Sequence, residues 1–396
     1  QCKKTLFAFV FKMENIINLG IPHIGEQIFE SIDTNKLIQF FEISKTWRAL
    51  AENVLLKRWK GRMWEACKNG KTKIVRLLLE HSATTRKTTG NGNNELMLAC
   101  LNGHKDVVRL LLDHSDKNIE LNARNNNGRT AFMLSCFKGH RDVVQLLLNY
   151  SGKDIEQNTG DSDGYTAFML SCCNGHKDVV QLLLDNFDES TLLNAKNDNG
   201  RTALMLSCFY GHKKIAELLL YYTDQSIAID TRDNVGNTAL MMSCSQGHKD
   251  IVKFLLDYSS HNIDAKNNLG QTAFMFACGK GYKDVVQLFL DQPSHNIDMN
   301  ARSNNGMTAF MFACEKGHTD VVKLLLDPGP SRNIDLNVRS NYGSTAFILA
   351  CKQGHKDVVK LLLQYSNVID INIPSNVNVN LSQDIKDLIA INEKRQ

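Results

Sequence analysis

NGRTAFMLSCFKGHRDVVQLLLNYS, residues 127–151, is one period of a pattern that fills most of this 396-residue chain. Gly128 suits a turn that needs positive φ, and Thr130 stands where a helix N-cap belongs. The spacing predicts a short helix over 131–138, with Ala131, Leu134 and Cys136 available for packing, stopped at Gly139-His140. A second helix then carries Val143, Val144, Leu146, Leu147 and Leu148. The i, i+4 pairs Val143/Leu147 and Val144/Leu148 make its core-facing stripe. A polar stretch rich in Asn, Asp and Ser leads to the next Gly-x-Thr.

The period is marked by cysteine. Cys67, Cys100, Cys136, Cys172, Cys208, Cys244, Cys278, Cys314 and Cys351 each fall three residues before a glycine, at separations of 33, 36, 36, 36, 36, 34, 36 and 37 residues. A residue that returns at fixed phase with a period in the thirties marks one structural unit copied along a stack. The chain therefore reads as an all-α solenoid in which each unit packs on its neighbours, and the usual division of such a length into several domains gives way to one continuous core.

Composition narrows the function classes. A hydrophobic content of 43% is ample for a packed core, and the net charge of +4 is small, with no Lys/Arg-rich run of the density that nucleic-acid binding needs. Of 11 cysteines, nine share one phase, leaving Cys2 and Cys173. Units spaced about 8–10 Å apart hold these thiols beyond disulfide reach. Reduced, buried cysteines place the protein in a reducing compartment, cytoplasmic and compatible with the nucleus. The opening QCKKTLFAFVFK has two lysines and an apolar run from Leu6 to Phe11, but Lys12 ends the run and no small-residue cleavage site follows. Met13 reads as the natural start, and residues 1–19 read as a disordered extension. No segment reaches the roughly 20 apolar residues of a membrane span.

Most chemical motifs dissolve into the repeat. Cys-x-x-x-His occurs seven times, at 100/104, 136/140, 172/176, 208/212, 244/248, 314/318 and 351/355. A metal would need four ligands converging from separate units, so a packed thiol beside a turn histidine is the preferred reading. Asn69-Gly70-Lys71-Thr72 has the ending of a phosphate loop, but Glu65 stands where that loop requires glycine. No nucleophile, base and acid occur together outside the repeat phase. No catalytic, metal or cofactor residue is assigned, and the chain is expected not to be an enzyme.

The repeat resembles the ankyrin repeat, whose consensus runs Gly-x-Thr-Pro-Leu-His, then Ala-Ala-x-x-Gly-His and a Val-Val/Leu-Leu-Leu helix. Gly-x-Thr-Ala stands at 128–131, 164–167, 200–203, 236–239, 270–273, 306–309 and 343–346. Gly-His recurs from Gly103, Gly139, Gly175, Gly211, Gly247, Gly317 and Gly354, with Gly281-Tyr282 as the exception. The resemblance covers residues 62–373. It departs from the family in a regular way: alanine replaces proline, methionine (or Ile348) replaces the first-helix histidine, and cysteine replaces the second alanine. Losing that histidine removes a bond between turn and helix, and Met133, Met169, Met205, Met241, Met275 and Met311 are expected to compensate by packing. The unit at 62–81 lacks a Gly-x-Thr entry and reads as an N-terminal cap. In the remainder, 374–396, Leu381 to Ile391 reads as a capping helix with Ser382 at its start.

The resemblance implies that partners touch the finger residues around Gly-x-Thr and the two residues before Gly-His. On this chain those positions hold Phe137, Phe209 and Tyr210, with Tyr165 at a turn and Arg129 and Arg201 flanking. They form either a contact patch or a cover for the neighbouring unit. A basic column precedes the fingers: Arg124, Lys196, Arg232, Lys266, Arg302 and Arg339. Lysine there is ordinary for the family, but Asn125, Asn197, Asn267, Ser303 and Ser340 follow in place of the usual aspartate. The column is then either a solvated basic edge or a site for an acidic or phosphorylated protein.

Ahead of the repeats, IPHIGEQIFESIDTNKLIQFFEISKTWRALAENVLLKRW (residues 21–59) is different in kind. Ile-Pro opens it, Asp33 can cap a helix beginning near Leu37, and Ile43-Ser44-Lys45-Thr46-Trp47-Arg48 follows. Residues 20–61 are similar to an F-box, which implies binding to the Skp-family adaptor of a cullin-RING ubiquitin ligase. Pro22, Ile24, Ile28, Leu37, Ile43 and Trp47 would supply that contact or its supporting core. The same apolar residues could instead form a helical N-terminal cap. Such a short segment needs a partner or the first repeat to complete its core. Three readings follow: a ligase substrate receptor with the repeats holding substrate, a plain scaffold, or an effector that redirects a host's ligase.

Overall fold

A computed structural model of the chain describes residues 30, 32–39, 45–81, 88–114, 121–151, 155–222, 229–258, 262–291, 297–327, 334–373 and 381–393. Among these residues the secondary structure is helical throughout, without strands. Pro22, Ile24, Ile28 and Ile43 lie outside the described residues, as does the extension 1–19. The chain divides into two compact units, residues 1–157 and 158–396.

The first unit begins with α1 (Thr34–Gln39) and α2 (Lys45–Trp59). Arg58 joins the start of this segment to α2, its Nη1 donating to the Ile32 carbonyl and to Thr34 Oγ1, both at 3.0 Å. Leu37, Ala51, Val54 and Leu55 are buried, and α2 packs on α4 of the first repeat. Leu37 thus belongs to the core of this segment, and Trp47 lies within α2. Three helix pairs follow: α3 (Met63–Lys68) with α4 (Thr72–Glu80), α5 (Glu95–Leu101) with α6 (Lys105–Asp113), and α7 (Ala131–Lys138) with α8 (Arg141–Ser151). The first helices stack on one another, as do the second helices. The pair α3/α4 has no side-chain cap at either helix start, in keeping with its missing Gly-x-Thr.

The second unit continues the pairs. First helices are α9 (Ala167–Cys173), α12 (Ala203–Phe209), α14 (Ala239–Gln246), α16 (Ala273–Lys280), α18 (Ala309–Glu315) and α20 (Ala346–Gln353). Second helices are α10 (Lys177–Asn186), α13 (Lys213–Tyr221), α15 (Lys249–Asp257), α17 (Lys283–Leu290), α19 (Thr319–Leu326) and α21 (Lys356–Gln364). Within the unit each first helix packs on the next first helix and each second helix on the next second helix. An extra short helix, α11 (Glu189–Asn194), occupies the loop after α10, capped by Asp188 and burying Leu192 and Leu193. The polar start of this loop conceals it in the sequence. The last helix of the described residues, α22 (Gln383–Glu393), packs on α21 with Ile385 buried, and the backbone N–H groups of Ile385 and Lys386 donate to the Ser382 carbonyl.

The cap chemistry is uniform. Thr130, Thr166, Thr202, Thr238, Thr272, Thr308 and Thr345 each accept at Oγ1 from the backbone N–H three residues on, at 3.2–3.4 Å. The residue donating that N–H is the one standing where the family has histidine. Its side chain is buried in every unit, whether Met133, Met169, Met205, Met241, Met275, Met311 or Ile348. In α7 the Met133 sulfur also lies 3.5 Å from the Thr130 N–H, so it takes over part of the bond the missing histidine would make.

The cysteines among the described residues are free; all nine of the shared phase are buried, with Cys173 half-buried. Burial drives the thiols of Cys67, Cys100, Cys172, Cys208, Cys244, Cys278, Cys314 and Cys351 upward, to about 12 at Cys208 and Cys351. The turn histidines have a different task. Nε2 of His104, His140, His212, His248, His318 and His355 lies 2.8–3.1 Å from the carbonyl oxygen of Lys68, Leu101, Cys173, Phe209, Gly279 and Glu315 respectively, each in the preceding repeat. A carbonyl can only accept, so Nε2 of each of these imidazoles is the donor.

Candidate partner-binding surface

The finger turns are organised by the residue that follows the basic column. Asn197 Oδ1 accepts the N–H groups of Asn199 and Arg201 at 3.2 and 2.9 Å, and Asp233 Oδ1 accepts those of Val235 and Asn237 at 3.1 and 2.8 Å. Asn267 serves Leu269 and Gln271 at 3.0 and 2.9 Å, while Ser303 Oγ accepts from Met307 at 3.1 Å. Any short side chain with an accepting oxygen closes this turn. Asparagine and serine therefore keep the fold of the finger while omitting the charge that aspartate would bring.

Successive fingers of the second unit are tied twice. The backbone N–H groups of Asn234, Asn268, Asn304 and Asn341 donate to the carbonyls of Asn199, Val235, Leu269 and Asn305 at 2.9–3.0 Å. Their Nδ2 groups donate to the carbonyls of Asp198, Asn234, Asn268 and Asn304 at 2.7–3.1 Å. The row is held before any partner arrives, which lowers the ordering cost of binding.

The basic column forms a third ladder. Lys196 Nζ donates to the carbonyl of Arg232 at 3.3 Å, Arg232 to that of Lys266, Lys266 Nζ to that of Arg302 at 3.1 Å, and Arg302 Nη2 to that of Arg339 at 2.8 Å. Arg339 ends the run on the carboxylate of Asp370. The acceptors within the run are neutral carbonyls, and Lys196, Arg232, Lys266 and Arg302 are exposed. Arg124, in the first unit, donates to the Gly128 carbonyl at 3.0 Å and lies 3.9 Å from Glu156.

The aromatic positions are arranged as cation–aromatic pairs. In the first unit the Arg129 guanidinium carbon lies 4.7 Å from the Phe137 ring centre, and Lys138 Nζ lies 5.2 Å from it. In the second unit Arg201 lies 5.3 Å from the Phe209 ring, and Phe209 meets Tyr210 edge to face with centroids 5.1 Å apart. Arg201 Nε also faces the buried Asp233 carboxylate at 3.6 Å. Burial raises the Tyr165 phenol above its ordinary range, with Cys173 and Tyr210 adding to the effect and Arg201 opposing it. Tyr165, Arg201, Phe209 and Tyr210 thus share one neighbourhood. Phe137 and Phe209 are half-buried under arginine, whereas Tyr210 is 48% exposed. The apolar fingertips Val235 and Leu269, exposed by 53% and 62%, were not assigned from the sequence. Their signal there is an apolar residue immediately before a Gly-x-Thr, where the other turns of the second unit up to that of Gly306 carry Asp or Asn.

Helix pairs stacked first on first and second on second, with tied finger turns and a reach of exposed aromatic and basic side chains, define a helical-repeat protein. The family of ankyrin repeats, three copies to a match, covers residues 63–159, 151–233, 225–303 and 292–375, and the chain belongs to it. No curated protein matches the chain. Ankyrin repeats are protein-interaction modules and generally non-enzymatic, and their partners are proteins. No helix among the described residues is long and apolar enough to cross a membrane.

Proposed function

We propose that the chain is the substrate receptor of a cullin-RING ubiquitin ligase of the Skp-adaptor type, with the ankyrin repeats holding the substrate. The observation that carries this reading is the order Ile-Pro … Ile-Ser-Lys-x-Trp-Arg, F-box-like, placed directly before the repeats and continuing into an α2 that packs on the first of them. The chain would make and break no bond. It would raise the effective concentration of substrate beside a ubiquitin-loaded enzyme. Pro22, Ile24, Ile28, Ile43 and Trp47 would meet the adaptor, and buried Leu37 would support them. Arg129, Phe137, Tyr165, Arg201, Phe209 and Tyr210 would meet substrate. Free buried thiols fit a cytoplasmic or nuclear setting.

A pull-down of the purified chain with a Skp-family adaptor, beside a Pro22→Ala, Trp47→Ala double variant, tests the reading. Binding that the variant loses supports it, and no binding by folded wild-type chain ends it. The second reading is a scaffold without any ubiquitin role. It is favoured by the docking of α2 on α4, because a segment in that position also serves as an N-terminal cap. On that reading, deleting residues 13–60 leaves every interaction of the repeats intact.

A further inference from the structure

We infer that the fingers of the second unit bind an extended acidic segment of a protein partner, carrying one carboxylate about every third residue. The inference rests on the repeats being the substrate-holding part of the chain, and it names the chemistry they hold. Lys196, Arg232, Lys266 and Arg302 recur once per repeat on one ladder, all exposed, with neutral carbonyls as their hydrogen-bond acceptors. Asp198 is exposed two residues after Lys196, whereas three carboxylates nearer the other cations are engaged. Those of Asp230 and Asp264 accept the backbone N–H groups of Asn262 and Asp298 in the following repeats, and that of Asp233 faces Arg201. Lys266 also acts on Asp264 electrostatically. Repeat spacing supplies the register. Packed helices stand about 8–10 Å apart, and an extended chain advances about 3.3 Å per residue, so three residues span one repeat. Exposed Val235 and Leu269 lie three residues after Arg232 and Lys266 and put apolar side chains on the same finger turns. Because the fingers are tied in advance, a partner would lose little by meeting them.

The test uses the full chain and fluorescence anisotropy with a fluorescein-labelled peptide of four Glu-Leu-Ser triplets. A control peptide has the same composition with its glutamates contiguous, and another has every glutamate replaced by glutamine. The spaced acidic peptide is expected to bind about tenfold tighter than either control and to weaken as salt rises. The triple variant Arg232→Gln, Lys266→Gln, Arg302→Gln keeps a donor for each carbonyl and is expected to lose about tenfold in affinity for the spaced peptide. Equal binding of spaced and contiguous peptides overturns the inference, as does tighter binding of polyuridine than of the spaced peptide. The glutamine peptide leaves the protein untouched, so its binding as well as the acidic one overturns the inference even if the triple variant fails to fold. No Skp-family adaptor enters these measurements, so a negative outcome here leaves the ligase reading to its own pull-down.

Discussion

The imidazole of His355 stands where a side chain on Gly317 would have to be: a Cβ at Gly317 would lie 2.5 Å from Nδ1 of His355. The same ring donates from Nε2 to the Glu315 carbonyl at 2.8 Å, so glycine, ring and carbonyl form one clamp between consecutive repeats. Gly281 and His318 repeat the arrangement, and Tyr282 keeps an aromatic ring over Gly247 without an imidazole N–H to offer.

That clamp separates two costs. Gly317 and Gly354 have nearly the same φ, +76° and +77°, but nothing lies within 4 Å of a Cβ at Gly354. Gly354→Ala is expected to cost about 1 kcal/mol, from backbone conformation, and Gly317→Ala about 1–3 kcal/mol more, from the ring. Urea denaturation of both variants checks this. Equal losses would remove the ring from the account, and adding His355→Ala should recover part of the Gly317→Ala loss.

Thr238→Ala and Thr308→Ala each remove the oxygen that caps the first helix of a repeat, and each is expected to cost about 1 kcal/mol. Serine at the same positions should recover most of it. A serine variant as unstable as the alanine one would mean that the threonine methyl, not the hydroxyl, holds the turn.

Cys172 and Cys173 are neighbours with opposite surroundings. Burial raises the Cys172 thiol well above its ordinary range, whereas Cys173 is half-buried. The thiolate is the reactive species, so native protein exposed to iodoacetamide at pH 8 should be modified at Cys173 well before Cys172. Peptide mass spectrometry reads the two sites separately, and comparable labelling would show that α9 opens readily.

Arg201→Met keeps most of the stem over Phe209 but leaves the buried Asp233 carboxylate without its cation. A loss of about 1–3 kcal/mol is expected in thermal unfolding, partly restored by adding Asp233→Asn. An unchanged midpoint for Arg201→Met would reduce the pair to a surface contact.

Removing residues 381–396 deletes α22, which covers α21 and buries Ile385. Terminal repeats need a polar outer face, so the truncated chain is expected to unfold at lower temperature and to self-associate. Light scattering alongside a thermal melt measures both, and an unchanged melt and particle size would show that α21 is polar enough to end the stack.

Much of the fold is legible in residues 127–151 because its causes are local. A threonine oxygen reaches an N–H three residues away, a Val/Leu stripe follows from 3.6 residues per turn, and a period in the thirties announces a stack. The sequence by itself determined the helix pairs, their caps, the buried cysteine row and the family. It also marked Arg129, Phe137, Arg201, Phe209 and Tyr210. The tertiary structure decided whether these aromatics stand free: Phe137 and Phe209 lie against arginines, while Tyr210 reaches outward. It also decided that the basic residues form a ladder on one another's carbonyls, that the rings of His104, His140, His212, His248, Tyr282, His318 and His355 fill the space left by a glycine of the preceding repeat, and that α2 docks on α4. The ladder and the ring-on-glycine contacts join residues more than thirty positions apart, from one repeat to the next. Their geometry comes from the rise and rotation between neighbouring units, which no spacing within a single repeat encodes.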